Sequence, residues 1–302
     1  MTISLCGLGN MGGAIAGRLA AHDTLLAYDV DAERVTRAAE TPNVTPAELA
    51  GLSSSDIVVL SLPTPKISLE VIGTLAPKMR PGSVIVETST VNPADVHEQV
   101  RRCDEHGVGL VDAAILSGVA QMANGRATLL VGGREPDVRK AEPVLRAMSE
   151  RIMRFGEPGS GMAAKVINNA VAHAVMVVLV EAGALAAATG VSGGELVELL
   201  TGPDAGLTRP LTHRFAERIL RGDYEGGMPT EAARKDSTLA LAMAQQTGVP
   251  LFAVQSAHTV YELGVAQGLG RLDYAAIATL WEQWTGRPMN ETKTGNRGMT
   301  RE

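Results

Sequence analysis

The sequence predicts an α/β domain with a doubly wound parallel sheet, followed by an all-α domain. A long interdomain helix is predicted to connect the two. Three observations support this fold class. The first half alternates short apolar, β-branched runs with helical segments, as parallel strands with right-handed crossovers do. The second half shows only helical patterns. The chain has 302 residues, close to the length at which chains divide into domains.

The first domain is predicted to span residues 1–158. A helix over Gly12–Ala21 follows the first strand, and further apolar runs are bounded by turn residues. The predicted strands are Ile3–Cys6, Thr24–Tyr28, Ile57–Leu62, Ser83–Glu87, Val108–Val111 and Thr128–Val131.

The second domain is predicted to span residues 159–285 and to begin with one long helix. Met162–Thr189 contains no turn signal, and Gly190 is the expected stop, so the helix would be roughly 40 Å long. Further helices are predicted at Thr230–Thr247, at Leu251–Gln267, and from the N-cap Asp273 to about Thr285. The polar residues 286–302 are predicted to form a disordered tail.

Composition excludes several classes of partner. The formal net charge is −6 and no block of Lys or Arg stands out, which argues against nucleic acid and polybasic membrane binding. Cys6 and Cys103 give neither a disulfide framework nor metal spacing, and His173 and His213 have no second ligand at metal spacing, so no metal is expected.

The sequence also predicts a soluble, cytoplasmic protein. No basic segment precedes the first strand, so no signal peptide is expected. The most apolar stretch, Val166–Val180, is interrupted by Asn168, Asn169 and His173, and we interpret it as too short and too polar to span a membrane.

A glycine motif lies between the first strand and its helix. Gly7-Leu8-Gly9-Asn10-Met11-Gly12 fits G-x-G-x-x-G, the Rossmann-type loop whose backbone approaches a pyrophosphate at a helix N-terminus. Asp29 ends the next strand, where an acid accepts the ribose hydroxyls, and no Arg follows directly to hold a 2′-phosphate. The alternative is a structural turn with a helix-capping Asp. The whole unit favours dinucleotide binding, with NAD preferred over NADP.

Two more loops follow strands at the sheet edge where ligands bind. They are Leu62-Pro63-Thr64-Pro65 and Glu87-Thr88-Ser89-Thr90. Leu62, Pro63 and Thr90 are therefore candidate cofactor contacts, although ordinary turn chemistry would also explain these residues.

A polar pair stands on the long helix. Gly159-Ser160-Gly161 precedes it, and Lys165 and Asn169 are four residues apart, so they share one helix face. Since their neighbours are Ala, Val and Ile, the pair is a candidate for chemistry. The alternative is a solvated lysine at a helix start.

Together these motifs resemble the β-hydroxyacid dehydrogenases, a family that includes the 3-hydroxyisobutyrate dehydrogenases. The resemblance rests on the glycine motif, the Glu87–Thr90 run, the Gly-x-Gly-x-x-x-Lys-x-x-Asn-Asn pattern and Lys235-Asp236, and it extends to about Thr285. It implies hydride transfer between NAD and a small 3-hydroxy acid. Lys165 would be the catalytic acid/base and Asn169 a substrate-orienting residue. Thr90 and Lys235 would lie beside the nicotinamide, and the long helix would pack against a second subunit of a homodimer or homotetramer.

One motif departs from the family pattern Asp-Ala-Pro-Val-Ser-Gly-Gly, whose Ser and glycines hold the substrate carboxylate. Here the run is Asp112-Ala113-Ala114-Ile115-Leu116-Ser117-Gly118, with Leu116 in place of the Ser. Either Ser117, with Gly118, takes over the contact, or the substrate differs at that end.

Two other functions remain open from the sequence. Imine reductases share the fold, but Lys165 counts against that activity because that group typically has Asp, Tyr or another residue there. A non-catalytic NAD-sensing protein would keep the glycine loop but would not need Lys165 and Asn169 on one face.

Overall fold

The computed structural model describes residues 1–290 and divides into two compact units, Met1–Val171 and a second that begins at Ala172. The division falls inside the long helix, beyond the boundary predicted after residue 158. Of the predicted tail, residues 286–290 are described, and residues 291–302 lie outside the described part.

An eight-stranded sheet forms the first unit, with the strand order β3-β2-β1-β4-β5-β6-β7-β8. The first six strands are parallel to one another, whereas β7 is antiparallel to β6 and β8 is parallel to β7. The strands are β1 (Ile3–Cys6), β2 (Leu25–Tyr28), β3 (Val44–Pro46), β4 (Ile57–Leu60), β5 (Val84–Glu87), β6 (Gly109–Leu116), β7 (Thr128–Gly133) and β8 (Arg151–Gly156).

The α/β fold class is confirmed, but the sheet is parallel over six strands only. A parallel connection needs about a dozen residues or more and usually a helix that crosses the sheet. Residues 117–127 join β6 to β7 and contain only a five-residue helix, α5 (Val119–Ala123), so the chain turns back instead.

Two strands were missed because they lack an apolar run. Strand β3 has three residues and ends in a proline. Strand β8 lies at the sheet edge, carries Arg151 and Arg154, and is exposed at most of its positions.

Helices cover both faces of this sheet. Residues of α1 and α6 pack with Val59 and Val86 on one face, and residues of α3, α4 and the start of α7 pack with Leu60 and Ile85 on the other. This two-sided burial explains why the central strands are apolar throughout. The helices are α1 (Asn10–Ala20), α2 (Ala32–Ala39), α3 (Pro65–Leu75), α4 (Pro93–Asp104), α6 (Glu135–Met148) and α7 (Ser160–Thr189).

The described part of the second unit is helical, as predicted. Helices α9 (Thr230–Thr247) and α10 (Phe252–Ala266) lie within one residue of their predicted bounds, and α11 (Ala278–Thr285) follows a short turn that Asp273 caps through the Ala275 N–H. Gly190 and Gly248 adopt φ values of +84° and +70°, which explains the helix ends.

Two helical segments of this unit were not predicted. Helix α8 (Gly193–Thr201) starts with a capping box between Ser192 and Glu195, a signal that the sequence does contain. The other segment, Pro210–Ile219, is a π-helix, which has no simple sequence pattern.

Helix α7 has 30 residues and would be about 45 Å long. By length and composition it could span a membrane, with a mean hydropathy of 2.0 in its most apolar window, of which 11% is buried within the chain. The interpretation of this stretch as too short and too polar for a span is therefore wrong, because the polar interruptions do not offset the run of Ala and Val around them.

Candidate active site

Each glycine of the motif has its own physical reason. Gly7 has a φ of +99°, and a side chain there would overlap the Ser61 carbonyl oxygen. A side chain at Gly12 would overlap the Gly7 carbonyl oxygen, so this position allows close packing of loop and helix. At Gly9 the nearest atom to an added Cβ is 3.8 Å away, on Arg34, so the backbone here is open to a ligand. These are the three roles that dinucleotide loops require.

The glycine motif borders a cleft of about 660 Å³ in the first unit. Gly9 caps α1 without a side-chain hydrogen bond, so the first N–H groups of this helix are available to an anion. The cleft lining includes the predicted cofactor residues Gly7, Gly9, Asn10, Met11, Gly12, Asp29, Leu62 and Pro63. The donors and the space fit the pyrophosphate and adenosine half of a dinucleotide.

Asp29 directly follows β2, and its side chain is hydrogen-bonded to the glycine loop. Its side chain is 6% exposed, and Oδ2 accepts a hydrogen bond from the Leu8 N–H at 2.6 Å while Oδ1 accepts one from the Asp31 N–H at 2.9 Å. The Leu8 side chain is buried, so this residue contributes its backbone N–H to the loop. Both bonds hold the Asp29 carboxylate in a fixed position at the lining of the cleft.

Arg34 lines the same cleft, although it was not among the predicted site residues. Its Nη1 lies 3.6 Å from Asp29 Oδ2, and its Nε lies 3.2 Å from Asp31 Oδ2. The three-residue spacing from the helix cap Asp31 is a signal that could have indicated it. Arg34 balances part of the negative charge at this end of the cleft.

The two predicted loops after β4 and β5 are joined by hydrogen bonds. The Leu62 N–H donates to Ser89 Oγ at 2.8 Å. Glu87 is fully buried, and its carboxyl group accepts hydrogen bonds from the Ser89 N–H at 2.8 Å and from Gln99 Nε2 at 3.0 Å. Burial raises the pKa of Glu87, and these hydrogen bonds oppose the rise. Thr90, at the end of this loop, is exposed and does not line the cleft.

Lys165 lies one turn into α7, and its Nζ donates a hydrogen bond to the Ile115 carbonyl oxygen at 2.7 Å. The residue is half-buried, and this burial lowers the pKa of its ammonium group. Asn169 is also half-buried on the same helix face, and its Oδ1 lies 3.4 Å from Asn168 Nδ2. The structure thus puts both predicted catalytic residues on one face of α7 and brings the Lys165 amine to the end of β6.

Ser117 is engaged with its own loop. Its hydroxyl donates to the Leu116 carbonyl oxygen and accepts from the Thr128 N–H, the latter at 3.2 Å. Gly118 follows as the N-cap of α5, and the half-buried Leu116 packs against the apolar cluster that includes Met162. The sequence did not indicate that the Ser117 hydroxyl would form hydrogen bonds with two backbone groups.

Lys235 belongs to the second unit. It lies on α9 with 69% of its side chain exposed, and its Nζ is 3.4 Å from Asp236 Oδ1. Its predicted place beside the nicotinamide stays a prediction.

The two thiols are not candidate nucleophiles. Cys6 and Cys103 are free and buried, and burial raises the pKa of each thiol to about 12. Within residues 1–290, no group of three or more His, Cys, Asp or Glu side chains is arranged to hold a metal ion.

Two family models together match nearly the whole chain. Residues 2–156 match the NAD binding domain of 6-phosphogluconate dehydrogenase. Residues 159–281 match the model described as NAD-binding of NADP-dependent 3-hydroxyisobutyrate dehydrogenase. The chain belongs to the β-hydroxyacid dehydrogenase family. The predicted family and nicotinamide dinucleotide cofactor are confirmed.

Curated relatives agree with this assignment. The chain is 31% identical to 2-(hydroxymethyl)glutarate dehydrogenase of Eubacterium barkeri, over 94% of this chain and 96% of that one. It is 27% identical to the mitochondrial 3-hydroxyisobutyrate dehydrogenase of Rattus norvegicus, over 91% and 85%. It is 28% identical to 3-sulfolactaldehyde reductase of Escherichia coli strain K12, over 91% and 94%.

Solved structures show the same fold. The 3-hydroxyisobutyrate dehydrogenase of Mycobacterium tuberculosis with L-serine is 28% identical, with a TM-score of 0.64 over 92% of this chain and 98% of that one. An imine reductase variant from Myxococcus stipitatus has a TM-score of 0.81 at 20% identity over 92% and 98%, and at that identity it shows the fold alone. This β-hydroxyacid dehydrogenase is thus an NAD(P)-dependent oxidoreductase acting on hydroxy acids, and its family makes it a soluble enzyme.

Proposed function

We propose that this dehydrogenase transfers a hydride between NAD and a small 3-hydroxy acid of the 3-hydroxyisobutyrate type, with Lys165 as the general acid/base. The observation that carries the proposal is the half-buried Lys165 amine, held 2.7 Å from the Ile115 carbonyl oxygen on the helix face it shares with Asn169.

Oxidation of an alcohol requires a base for the hydroxyl proton. As the hydride leaves the carbon, the neutral Lys165 amine accepts this proton, and the C–O bond becomes a carbonyl. One N–H is bound to the Ile115 carbonyl oxygen, which holds the nitrogen in place and leaves its two other positions for the lone pair and the second N–H. Partial burial disfavours the ammonium form and so makes the neutral amine accessible. In reduction, the ammonium polarises the carbonyl and returns the proton.

The glycine loop, Asp29, Leu62 and Pro63 are the residues that would hold the dinucleotide. The nicotinamide supplies the hydride acceptor in oxidation and the hydride donor in reduction. The α1 N–H groups would bind the pyrophosphate, and the Asp29 carboxylate would accept hydrogen bonds from the ribose hydroxyls and disfavour a 2′-phosphate. Thr90 and Lys235 complete the nicotinamide end in this proposal.

The substrate contacts of the proposal are Lys165, Asn169, Ser117 and Gly118. The Asn169 carboxamide offers two donors and an acceptor one turn from Lys165, which suits a hydroxyl or carboxylate of the substrate. The Ser117 hydroxyl would bind the substrate in place of one of its two backbone partners. Gly118 would contribute its backbone. The proposed compartment is the cytoplasm.

A homo-oligomer is also part of the proposal. Helix α7 leaves apolar side chains in solvent within one chain, among them Val171, Met176 and Val180, each more than half exposed. An apolar surface of this kind on a soluble enzyme is normally covered by another protein surface, and a second copy in a homodimer or homotetramer supplies one.

The direct test replaces Lys165. Arginine keeps the charge but cannot release its proton, so Lys165→Arg should be nearly as damaging as Lys165→Ala. Both variants should bind NAD normally and lose at least about 10²-fold in kcat. A screen of 3-hydroxyisobutyrate, serine, threonate, 3-hydroxypropionate and 4-hydroxybutyrate identifies the best substrate for these assays.

The exposed Lys78 is a matched control, since Lys78→Ala and Lys78→Arg should leave kcat unchanged. If a folded Lys165→Ala enzyme that binds NAD keeps more than a tenth of wild-type kcat, the assignment of Lys165 is wrong. Imine-reductase-like chemistry would then be the next activity to assay.

A further inference from the structure

A second buried acid, Asp112, lies in the middle of β6 and points to the face that α7 covers. It is completely buried. Its Oδ1 accepts a hydrogen bond from the Gly159 N–H at 2.7 Å, and its Oδ2 accepts one from the Met162 N–H at 2.8 Å. Met162 lies in the first turn of α7, where helix donors have no partner within the helix, and Gly159 directly precedes that turn. Asp112 therefore caps α7 from a neighbouring strand.

Glycines make room for this carboxylate. An added Cβ at Gly132 would lie 2.6 Å from Asp112 Oδ1, and one at Gly161 would lie 2.9 Å from Asp112 Oδ2. A side chain at Gly161 would also overlap the Leu130 carbonyl oxygen. Gly161 is thus explained by the contact of the helix start with β6 and β7, whereas Gly159 has a φ of +92° and lies against His97 and Pro93 of α4.

The same strand holds α7 at a second point. Lys165 follows Met162 by three residues and so lies on the same side of the helix. Its Nζ donates to the carbonyl oxygen of Ile115, three residues after Asp112 on β6. Asp112 fixes the helix start, and the Lys165 side chain reaches from the next turn to the end of the same strand.

We propose that Asp112 is a positioning residue for the reaction: by holding the first turn of α7 on β6, it sets the position of the Lys165 nitrogen at the Ile115 carbonyl. The inference rests on the proposed role of Lys165 as the acid/base. Asp112 itself is closed off from any substrate by the Gly159, Gly161 and Met162 backbone.

The Asp112 carboxyl group is surrounded by backbone hydrogen-bond donors. Burial raises the pKa of Asp112, and the backbone N–H groups of Gly159, Met162 and Gly161 oppose that rise. Glu87 is its register partner on β5, but that acid has its own partners in Ser89 and Gln99. Displacing the first turn of α7 would expose Lys165 to water and remove the desolvation that lowers the pKa of its amine.

The test compares Asp112→Asn with a matched change elsewhere. An Asn amide presents an NH₂ group to backbone donors, so one of the two contacts with α7 is lost. We expect the kcat for oxidation to fall at least tenfold and the midpoint of the kcat–pH profile to move to higher pH. The NAD dissociation constant, measured by fluorescence titration, should stay within twofold of wild type. Asp112→Glu keeps the charge but displaces it by one methylene, and it should show the same loss if Asn does not fold.

The control is Glu181, another buried acid that caps a helix. It lies on α7 and accepts hydrogen bonds from the N–H groups of Phe252, Ala253 and Val254 at 2.6, 2.7 and 3.1 Å. Glu181→Gln should lower the melting temperature but leave kcat and its pH midpoint at wild-type values.

The outcomes separate the two proposals. If folded Asp112 variants keep kcat within twofold and the same pH midpoint while Lys165→Ala is inactive, the positioning role is overturned and the acid/base role stands. An equal loss and an equal shift in Glu181→Gln would also overturn it, because the effect would then be general destabilisation. If Lys165→Ala stays active, the proposed function fails whatever Asp112 does.

Discussion

The Nζ of Lys165 lies 2.7 Å from the main-chain carbonyl oxygen of Ile115. A main-chain acceptor cannot be removed by a side-chain change, and it neither gains nor loses a proton in the working pH range. The lysine is thereby oriented by a partner whose charge stays constant, while partial burial lowers the pKa of its ammonium group. The charge state of this one side chain should therefore dominate the pH dependence of the reaction.

We expect opposite pH profiles for the two directions. Oxidation needs the neutral amine, so its kcat should rise with pH to an alkaline plateau, with a midpoint below the value of about 10.4 for an unperturbed lysine. Reduction needs the ammonium, so its kcat should fall over the same range. Steady-state rates from about pH 6 to 11 measure both, with stability checked at each pH. An oxidation rate that falls as the pH rises would contradict the role of Lys165.

Cofactor preference should depend on Asp29. The double change Asp29→Ser with Val30→Arg removes a carboxylate from the ribose position and adds a cation at a site where the native side chain is 89% exposed. We expect the NADP/NAD ratio of kcat/KM to rise at least about tenfold, since a like charge beside a 2′-phosphate is costly. Val30→Arg alone is the control and should keep the preference for NAD. An unchanged ratio in the double variant, or a wild type that prefers NADP, would exclude this role.

The next prediction concerns Ser117 and Leu116 in the proposed substrate loop. If the Ser117 hydroxyl binds the substrate carboxylate, Ser117→Ala loses a charge-assisted hydrogen bond of about 1.5–3 kcal/mol and KM rises about tenfold or more. If the hydroxyl forms hydrogen bonds only with the Leu116 carbonyl oxygen and the Thr128 N–H, the same change lowers the melting temperature and leaves KM unchanged. Leu116→Ser should move the preference toward ordinary family substrates. No effect of either change on KM or preference would mean that the carboxylate is held elsewhere.

Oligomeric state can be measured directly. Light scattering at micromolar concentration should give at least twice the 31.5 kDa mass of one chain. Val180→Glu places a charge on the exposed apolar surface of α7 and should weaken the assembly, whereas Val30→Glu, in the first unit, should not. A 31.5 kDa particle for the wild type would disprove the oligomer.

Features that depend on local sequence were predicted well. The glycine motif needs left-handed or crowded backbone within a few residues, and Asp29 follows it by one strand, so both were found from spacing. The fully buried strands and the ends of α7 and α9 also have local causes, namely apolar runs and glycines with positive φ.

Features that depend on contacts distant in sequence were missed. Asp112 was quoted as part of a motif, but its partners Gly159 and Met162 are 47 and 50 residues away. The Glu87–Gln99 contact and the hydrogen bond between the Leu62 N–H and Ser89 likewise exist only after folding. The antiparallel β7 was missed because the predicted strand ended at Val111, whereas β6 continues to Leu116 and leaves a link too short for a crossover.

The two attachments of α7 to β6 limit how this enzyme can evolve. One residue inserted between Met162 and Lys165 would leave the Asp112 contacts intact but rotate Lys165 by about 100° around the helix axis and shift it by about 1.5 Å, away from Ile115. Descendants of this gene can therefore change residues in that turn but not its length. Insertions that broaden the substrate range would have to occur in surface loops, and engineering by loop grafting faces the same restriction.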